Sequence, residues 1–343
     1  MASPHPSGPR VAVLGATGLV GREMLRLLEA SSVEPSEVRA LASSRSAGAR
    51  LPYGEGELEV VPVSPEALEG LDLLLASAGG AVSRQWLPLA RELGVVCIDN
   101  TSAFRLDPGV PLVVPEVNPQ TLDGISLGRG AIIANPNCST IQMVVALAPL
   151  HEAFGLRRVV VDTYQSISGA GAGATRLFAE DLARAAAPTA GVSPSPVGLG
   201  LDVLPRIGEL DAQGESSEEA KMVHETRKIL DANLPVDATC VRVPVVQGHA
   251  EALTVETDRP CSVEEALEAL RAAPGVEVHA GDSIPTPRAL ERTPGVHVGR
   301  VRTSRAFRSG LKLWVVADNL IKGAAGNALQ IAELVTSSSL SRT

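Results

Sequence analysis

One cysteine stands where a thiol becomes reactive. Asn135-Pro136-Asn137-Cys138-Ser139-Thr140 runs directly into the apolar stretch Ile141–Leu150. If that stretch is a helix, Cys138 sits at its N-terminus. There the positive end of the helix dipole and the unsatisfied N–H groups lower a thiol's pKa below its free value of about 8.5. The thiolate is the nucleophile, so this setting predicts covalent catalysis. The same N–H groups, with the Asn137 amide, are expected to hold a developing oxyanion. Cys97 and Cys240 fall inside apolar runs, and Cys261 falls in a loop. A buried cysteine is ordinarily a small hydrophobe. The four cysteines form no CxxC pair, so neither a disulfide scaffold nor a metal site is expected, and a reducing cytoplasm is.

A second chemical signal lies near the N-terminus. Gly15-Ala16-Thr17-Gly18-Leu19-Val20-Gly21 follows the apolar run Val11–Leu14 and opens a helical pattern reaching about Ala30. Glycines at this spacing permit a tight turn and a close backbone approach to a pyrophosphate, which the helix N-terminus then binds. Gly15, Thr17, Gly18, Leu19 and Val20 are the expected cofactor contacts. The next strand, Val38–Ala42, ends in Ser43-Ser44-Arg45-Ser46. An NAD site usually places Asp or Glu there, to bond the ribose 2′-hydroxyl. Ser44, Arg45 and Ser46 instead suit a 2′-phosphate, with the guanidinium supplying paired donors. The expected cofactor is therefore NADP(H). Ser77-Ala78-Gly79-Gly80 closes a later strand, either facing the cofactor or making a plain turn.

These residues need a frame. Strand-like runs at 11–14, 38–42, 58–63, 71–76 and 95–99 alternate with helical patterns, one of them at 86–93. Short apolar strands separated by helices predict a parallel sheet covered on both faces, the doubly wound Rossmann-type α/β arrangement. Beyond Ile141 the pattern changes. Strands are expected at 159–166, 238–246, 252–257 and 311–317. Helices are expected at 217–230 (with Ser217 as a possible N-cap), 263–272 and 327–335. That composition predicts an α+β second domain with a more antiparallel sheet. Residues 185–200, rich in Ala, Pro, Ser and Gly, read as a long loop. The expected division is an NADP-binding domain at 10–137, joined by a C-terminal helix at 319–338, and a catalytic and dimerisation domain at 138–318. Residues 1–9 read as a disordered lead.

The 343 residues suit about two domains of roughly 100–200 residues each. A net charge of −9 and 2% aromatic residues exclude the basic, stacking surface that single-stranded nucleic acid requires. No apolar run approaches the roughly 20 residues of a membrane span.

GATGLVG, SSRSAG, DNTSAFR (99–105), VPEVN (114–118), NPNCST, YQSISGAG (164–171), EEAK (218–221) and RVPVVQGH (242–249) occur in this order. Together they resemble the aspartate-semialdehyde dehydrogenases, over about residues 10 to 335. N-acetyl-glutamyl-phosphate reductases share the architecture, but typically carry an NPGCY-like segment where Asn137 stands here. The alternatives are such a sister acyl-phosphate reductase or a non-catalytic NADP-binding regulator. The resemblance implies reductive dephosphorylation of L-aspartyl-4-phosphate through a Cys138 thioester, in a homodimer. It implies His249 as acid/base and Gln165, Glu218 and Arg242 as substrate-binding residues. Arg105 and Lys221 are implied for phosphate, and Ser168, Gly169 and Asn327 for the cofactor. The bland readings are a structural ion pair for Arg242 and a solvated i,i+3 pair for Glu218 and Lys221.

Overall fold

The computed structural model describes residues 8–185, 202–230 and 232–340. The expected loop beyond Ala185, and residues 1–7 of the expected lead, lie outside the described residues. Gly8 and Pro9 are tied into the fold, through bonds from Ser36 to both their carbonyls. The chain forms two compact units, one ending at Pro136 and resuming at Ala324, the other spanning Asn137–Gly323.

The first unit runs β1 (Arg10–Leu14), α1 (Leu19–Leu28), β2 (Glu37–Ala42), β3 (Arg50–Tyr53), β4 (Gly56–Pro62), α2 (Pro65–Leu68), β5 (Leu73–Ala76), α3 (Gly80–Glu92), β6 (Val96–Asp99) and β7 (Ala131–Ala134). The sheet order is β3-β4-β2-β1-β5-β6-β7. All pairings are parallel except β3 with β4. The central strands β1, β5 and β6 are almost wholly buried, which is why they read as continuous apolar runs. From β1 the chain builds outward to β2 and β4, then returns to place β5 on the other side. That reversal puts the topological switch point between β1 and β5, where ligands of such sheets bind at the carboxyl ends of the strands. The sequence reading missed the β3–β4 hairpin and four-residue β7. It also began α3 six residues late, because Gly79 and Gly80 resemble loop residues.

The second unit runs α4 (Cys138–Phe154), β8 (Leu156–Gln165), α5 (Ala172–Ala185), α6 (Ser217–Leu230), β9 (Val236–Arg242), β10 (His249–Thr257), α7 (Val263–Ala272), β11 (Val276–Val278), β12 (Val296–Thr303) and β13 (Gly310–Ala317). Its sheet order is β11-β12-β13-β10-β8-β9, with antiparallel pairing at the centre and parallel pairing at both ends. Helix α4 packs on β8, β10, β12 and β13 and is flanked by α6 and α7. It is apolar nearly all round, as a core helix must be. The last helix, α8 (Gly326–Leu340), belongs to the first unit, where Ala328, Leu329, Ile331, Ala332 and Val335 share a core with α1 and the sheet.

Two expectations change. The strand expected at 238–246 stops at Arg242, because Pro244 has no N–H to give to a ladder. His249 therefore opens β10 rather than closing that strand. The cap of α6 is Ser216, not Ser217: Ser216 Oγ accepts from Glu219 N, and a Glu219 carboxylate oxygen accepts from Ser216 N.

Candidate active site

In the first unit, the glycine run forms the turn from β1 into α1. Gly15 has φ +88°, and a Cβ there meets the Ser77 carbonyl at 2.6 Å. A Cβ on Gly21 collides with the Gly15 carbonyl. The two turns leaving β1 and β5 thus press together at the switch point, with room only for glycine. Gly18 is the N-cap of α1 and offers no side-chain cap to the N–H groups that follow, leaving them to a ligand. Beyond β2, Ser44–Ser46 forms a short 3₁₀ turn in which Ser44 and Arg45 are exposed. Among the described residues no carboxylate forms an ion pair with Arg45. This set fits a dinucleotide with a 2′-phosphate.

Arg105 belongs to this unit and is only 7% exposed. Its Nε donates to the Asn135 carbonyl at 2.9 Å and its Nη2 to the Asn100 carbonyl at 2.8 Å. Asp99 organises the same loop by accepting from Ser83 Oγ, Thr101 N and Thr101 Oγ1. Asn327 is fully buried, and its Nδ2 donates to the Val113 carbonyl and to Asn135 Oδ1. Its amide nitrogen thus supports Asn135 from within the core.

In the second unit, Cys138 is the first residue of α4. Its Sγ lies 3.2 Å from His249 Nε2. The ring orientation assigns the proton. His249 Nδ1 accepts from Ser166 N at 3.0 Å, so a neutral ring carries its proton on Nε2, facing sulfur. Burial and the Arg242 charge push His249 down to about 3, so the ring is neutral. Gly169 closes this corner, since a Cβ there lies 3.0 Å from Arg242 Nη1 and 3.3 Å from the His249 ring. A Cβ on Gly323 likewise meets Cys138 Cβ at 2.8 Å.

Arg242 is 7% exposed and donates through Nη1 to the Ser166 carbonyl at 2.7 Å. Among the described residues no carboxylate ion-pairs with it. Burial lowers its pKa, while charge on Cys138 and Glu218 acts the other way. A buried guanidinium so placed is poised for an anion. Glu218 is equally buried. One of its oxygens accepts from Asn137 Nδ2 and Gln165 Nε2, the other from Lys221 Nζ at 3.0 Å. Burial alone raises its pKa, but the Lys221 charge and these bonds outweigh it and bring it down to about 2. Glu219, its neighbour, faces away: it caps α6 and accepts from Cys240 N.

The oxyanion expectation is narrowed. Asn137 Oδ1 accepts from both Ser139 N and Thr140 N, and Asn137 Nδ2 donates one of its two hydrogens to Glu218. Asn137 is therefore a helix cap and an anchor for Glu218. Three contributors went unnoticed in the sequence. Glu225, two helical turns after Glu218, accepts from Asn137 N at 2.6 Å. Ser166 orients the imidazole. Asn319 accepts from Ser166 Oγ, Ser168 Oγ and Gly248 N, binding the Ser168 hydroxyl into a buried network. Glu225 had a signal, since carboxylates seven apart share one helix face. Ser166 and Asn319 had none, because their bonds cross 83 and 153 residues of chain. Cys97 and Cys240 are buried and their thiols raised by burial, as inert packing residues should be.

Residues 10–125 match the family model described as semialdehyde dehydrogenase, NAD binding domain. Residues 147–322 match that described as semialdehyde dehydrogenase, dimerisation domain. The aspartate-semialdehyde dehydrogenase of Aquifex aeolicus is 46% identical, covering 97% of this chain and 99% of that protein. This chain belongs to the aspartate-semialdehyde dehydrogenase family. A solved structure of aspartate-semialdehyde dehydrogenase II from Vibrio cholerae, complexed with ASA, matches at 43% identity with TM-score 0.90, over 96% of this chain and 98% of that one. The family also includes a Candida albicans enzyme solved with NADP, at 28% identity and TM-score 0.78, over 97% and 99%.

Proposed function

We propose that this chain catalyses the NADPH-dependent reductive dephosphorylation of L-aspartyl-4-phosphate to L-aspartate 4-semialdehyde and phosphate, in lysine, methionine and threonine biosynthesis. The observation that carries it is the 3.2 Å contact between Cys138 Sγ and a His249 nitrogen whose proton faces sulfur. That donor, the Arg242 charge and the start of α4 all favour the thiolate. Cys138 attacks the acyl carbonyl; a C–S bond forms, and the C–O bond to phosphate breaks. NADPH supplies hydride to the resulting thioester, and Gly15, Thr17, Gly18, Leu19, Val20, Ser44, Arg45, Ser46 and Gly169 hold it. Ser168 and Asn327 complete the set of cofactor-binding residues, Asn327 also bracing Asn135. His249 Nε2–H donates to the carbonyl oxygen as it gains charge, and recovers the proton as the thiohemiacetal opens to the aldehyde. His249 thus serves first as an acid.

Arg242 takes the substrate carboxylate, Glu218 its ammonium group, and Gln165 the acyl end. Arg105 and Lys221 take phosphate. Lys221 must then leave Glu218, and the substrate ammonium replaces it. The segment 10–137 with 319–338 serves as the NADP-binding domain, and 138–318 as the catalytic and dimerisation domain of a cytoplasmic homodimer. Among the described residues, no helix is long and apolar enough to cross a membrane. The test is reduction of NADP by aspartate semialdehyde, with phosphate required. Cys138→Ala should abolish turnover and leave NADP binding intact. Preference for N-acetylglutamate semialdehyde, or a thioester trapped on another cysteine, overturns the reading.

A further inference from the structure

On the sheet of the second unit, far along the row from Tyr164, three metal-binding side chains converge. Parallel pairing of β11 with β12 sets Glu277 directly beside His297. His279 is two residues beyond Glu277, so it shares that face. The register continues His297–Val316–Ala250–Tyr164 across the sheet, placing the trio at the β11 edge. Sequence spacing gave no hint of this, because His297 lies 18 residues from His279 and the strand pairing alone joins them.

The distances are those of a coordination polyhedron. His279 Nε2 lies 3.1 Å from His297 Nδ1, and His297 Nδ1 lies 3.4 Å from Glu277 Oε2. The three ligand atoms all fall within 4.8 Å of one another. Ligands about 2.0–2.1 Å from a tetrahedral ion stand roughly 3.3–3.4 Å apart. Surrounding groups fix the donor atoms. Thr293 Oγ1 donates to the Leu290 carbonyl at 2.8 Å, so toward His297 Nε2, at 3.2 Å, it can only accept. The proton of a neutral His297 is therefore on Nε2, and Nδ1 turns a lone pair toward His279 and the Glu277 carboxylate. Ser283 Oγ, 3.0 Å from His279 Nδ1, can hold that ring with Nε2 deprotonated as well. Outer hydrogen bonds of this kind set the tautomer of metal-ligating histidines. A lone pair of this kind beside a carboxylate is a donor set that a cation can join.

We propose that Glu277, His279 and His297 form a binding site for a divalent cation of the zinc class. Two imidazole nitrogens and one carboxylate suit zinc rather than calcium or magnesium, which prefer all-oxygen ligation. The fourth position is left to water. The ion clips the three-residue edge strand β11, and the His279 turn after it, to β12. This site is separate from Cys138 and His249, and its test does not depend on the proposed reaction.

The experiment is Zn²⁺ titration of the full chain against a chromophoric chelator, in a Cys138→Ala background that removes the active-site thiol. Co²⁺ is used in parallel for its visible spectrum. One Zn²⁺ should bind per chain at micromolar free metal, with a Co²⁺ band lacking sulfur-to-metal charge transfer. His279→Ala and Glu277→Gln, both at accessible positions, should each weaken binding at least about tenfold. In the otherwise native chain, each should leave turnover unchanged. His297→Ala should do the same to binding, and if it fails to fold the other two variants carry the result. Absence of binding at about 100 µM free Zn²⁺, or binding unchanged in His279→Ala and Glu277→Gln, overturns the site.

Discussion

Two cationic side chains with different surroundings test the allocation of substrate groups. Arg242 is buried in the second unit with a backbone carbonyl as its partner, whereas Arg105 in the first is held by the Asn100 carbonyl of its own loop and the Asn135 carbonyl after β7. In the oxidative direction phosphate is a separate reactant, so the two sites can be read apart. Arg242→Lys keeps the charge but loses the fork that pairs with a carboxylate. It should raise the aldehyde KM more than the phosphate KM, by tens to thousands of fold if about 2–5 kcal/mol is lost. Arg105→Lys should do the reverse. Steady-state kinetics with each substrate varied in turn decide it, and the allocation is wrong if Arg242→Lys raises only the phosphate KM. A further residue-scale test concerns Glu251, two residues after His249 on the same face of β10. It is fully buried, and burial raises its pKa well above 4.5. The Gln142 amide, one helical turn after Cys138, faces it without reaching hydrogen-bond geometry. The folded state then holds this proton more tightly than the unfolded state, so stability falls as pH rises from about 4.5 toward the folded pKa. Glu251→Gln should flatten that decline. Melting temperature across pH measures it, and parallel wild-type and variant curves would refute it.

At the scale of elements, cofactor choice follows from the end of β2. The 3₁₀ turn at Ser44–Ser46 exposes Arg45 without a carboxylate partner. Arg45→Ala should raise the NADP KM about ten- to a hundredfold, the loss of a hydrogen bond to a charged group. The NAD KM should stay unchanged; equal loss for both cofactors would place Arg45 outside the 2′-phosphate site. This turn was legible in the sequence because strand, glycines and turn are contiguous, and local chemistry dictates each. So was α4, whose start is marked by Asn137 and whose apolar length admits no other reading. What stayed hidden depends on pairing over long stretches of chain. β11 has three residues and no pattern of its own, and β12 carries Gly299 and a register shift after it. The orientation of His249 was invisible too, because Ser166 and Asn319, which fix it, lie on other elements. Asn137 was only partly legible for a related reason: an N-cap asparagine looks like a wholly free amide until its bonds to Ser139, Thr140 and Glu218 are seen.

At the scale of the whole molecule, α4 covers one face of the second unit's sheet, and on the other the segment at Leu290 packs on Ala250, Val316 and Trp314. Along β8, the buried residues Val159, Val161, Thr163 and Gln165 face α4, while Val160, Asp162 and Tyr164 alternate with them. The register carries that outer face through Ala252 and Trp314, and Tyr164 and Trp314 rings approach to 5.5 Å. Tyr164 remains 39% exposed. Partly exposed aromatic and aliphatic side chains on a sheet face are the ingredients of a buried interface core. The match to a dimerisation domain model covers these strands. The proposed homodimer should therefore join two such faces about a two-fold axis, each burying on the order of 800 Å² or more. In a two-fold interface every residue is used twice, so one substitution introduces two charges. Tyr164→Glu touches no buried core position and should leave the monomer folded, with unchanged far-UV circular dichroism. It should also shift the dimer dissociation constant upward by at least about a hundredfold, since desolvating a new charge at an interface costs several kcal/mol. Light scattering at micromolar concentration should report a dimer for the wild type and a monomer for the variant. A wild-type monomer would refute the dimer itself, whereas a Tyr164→Glu protein that stays dimeric would move the interface to another face.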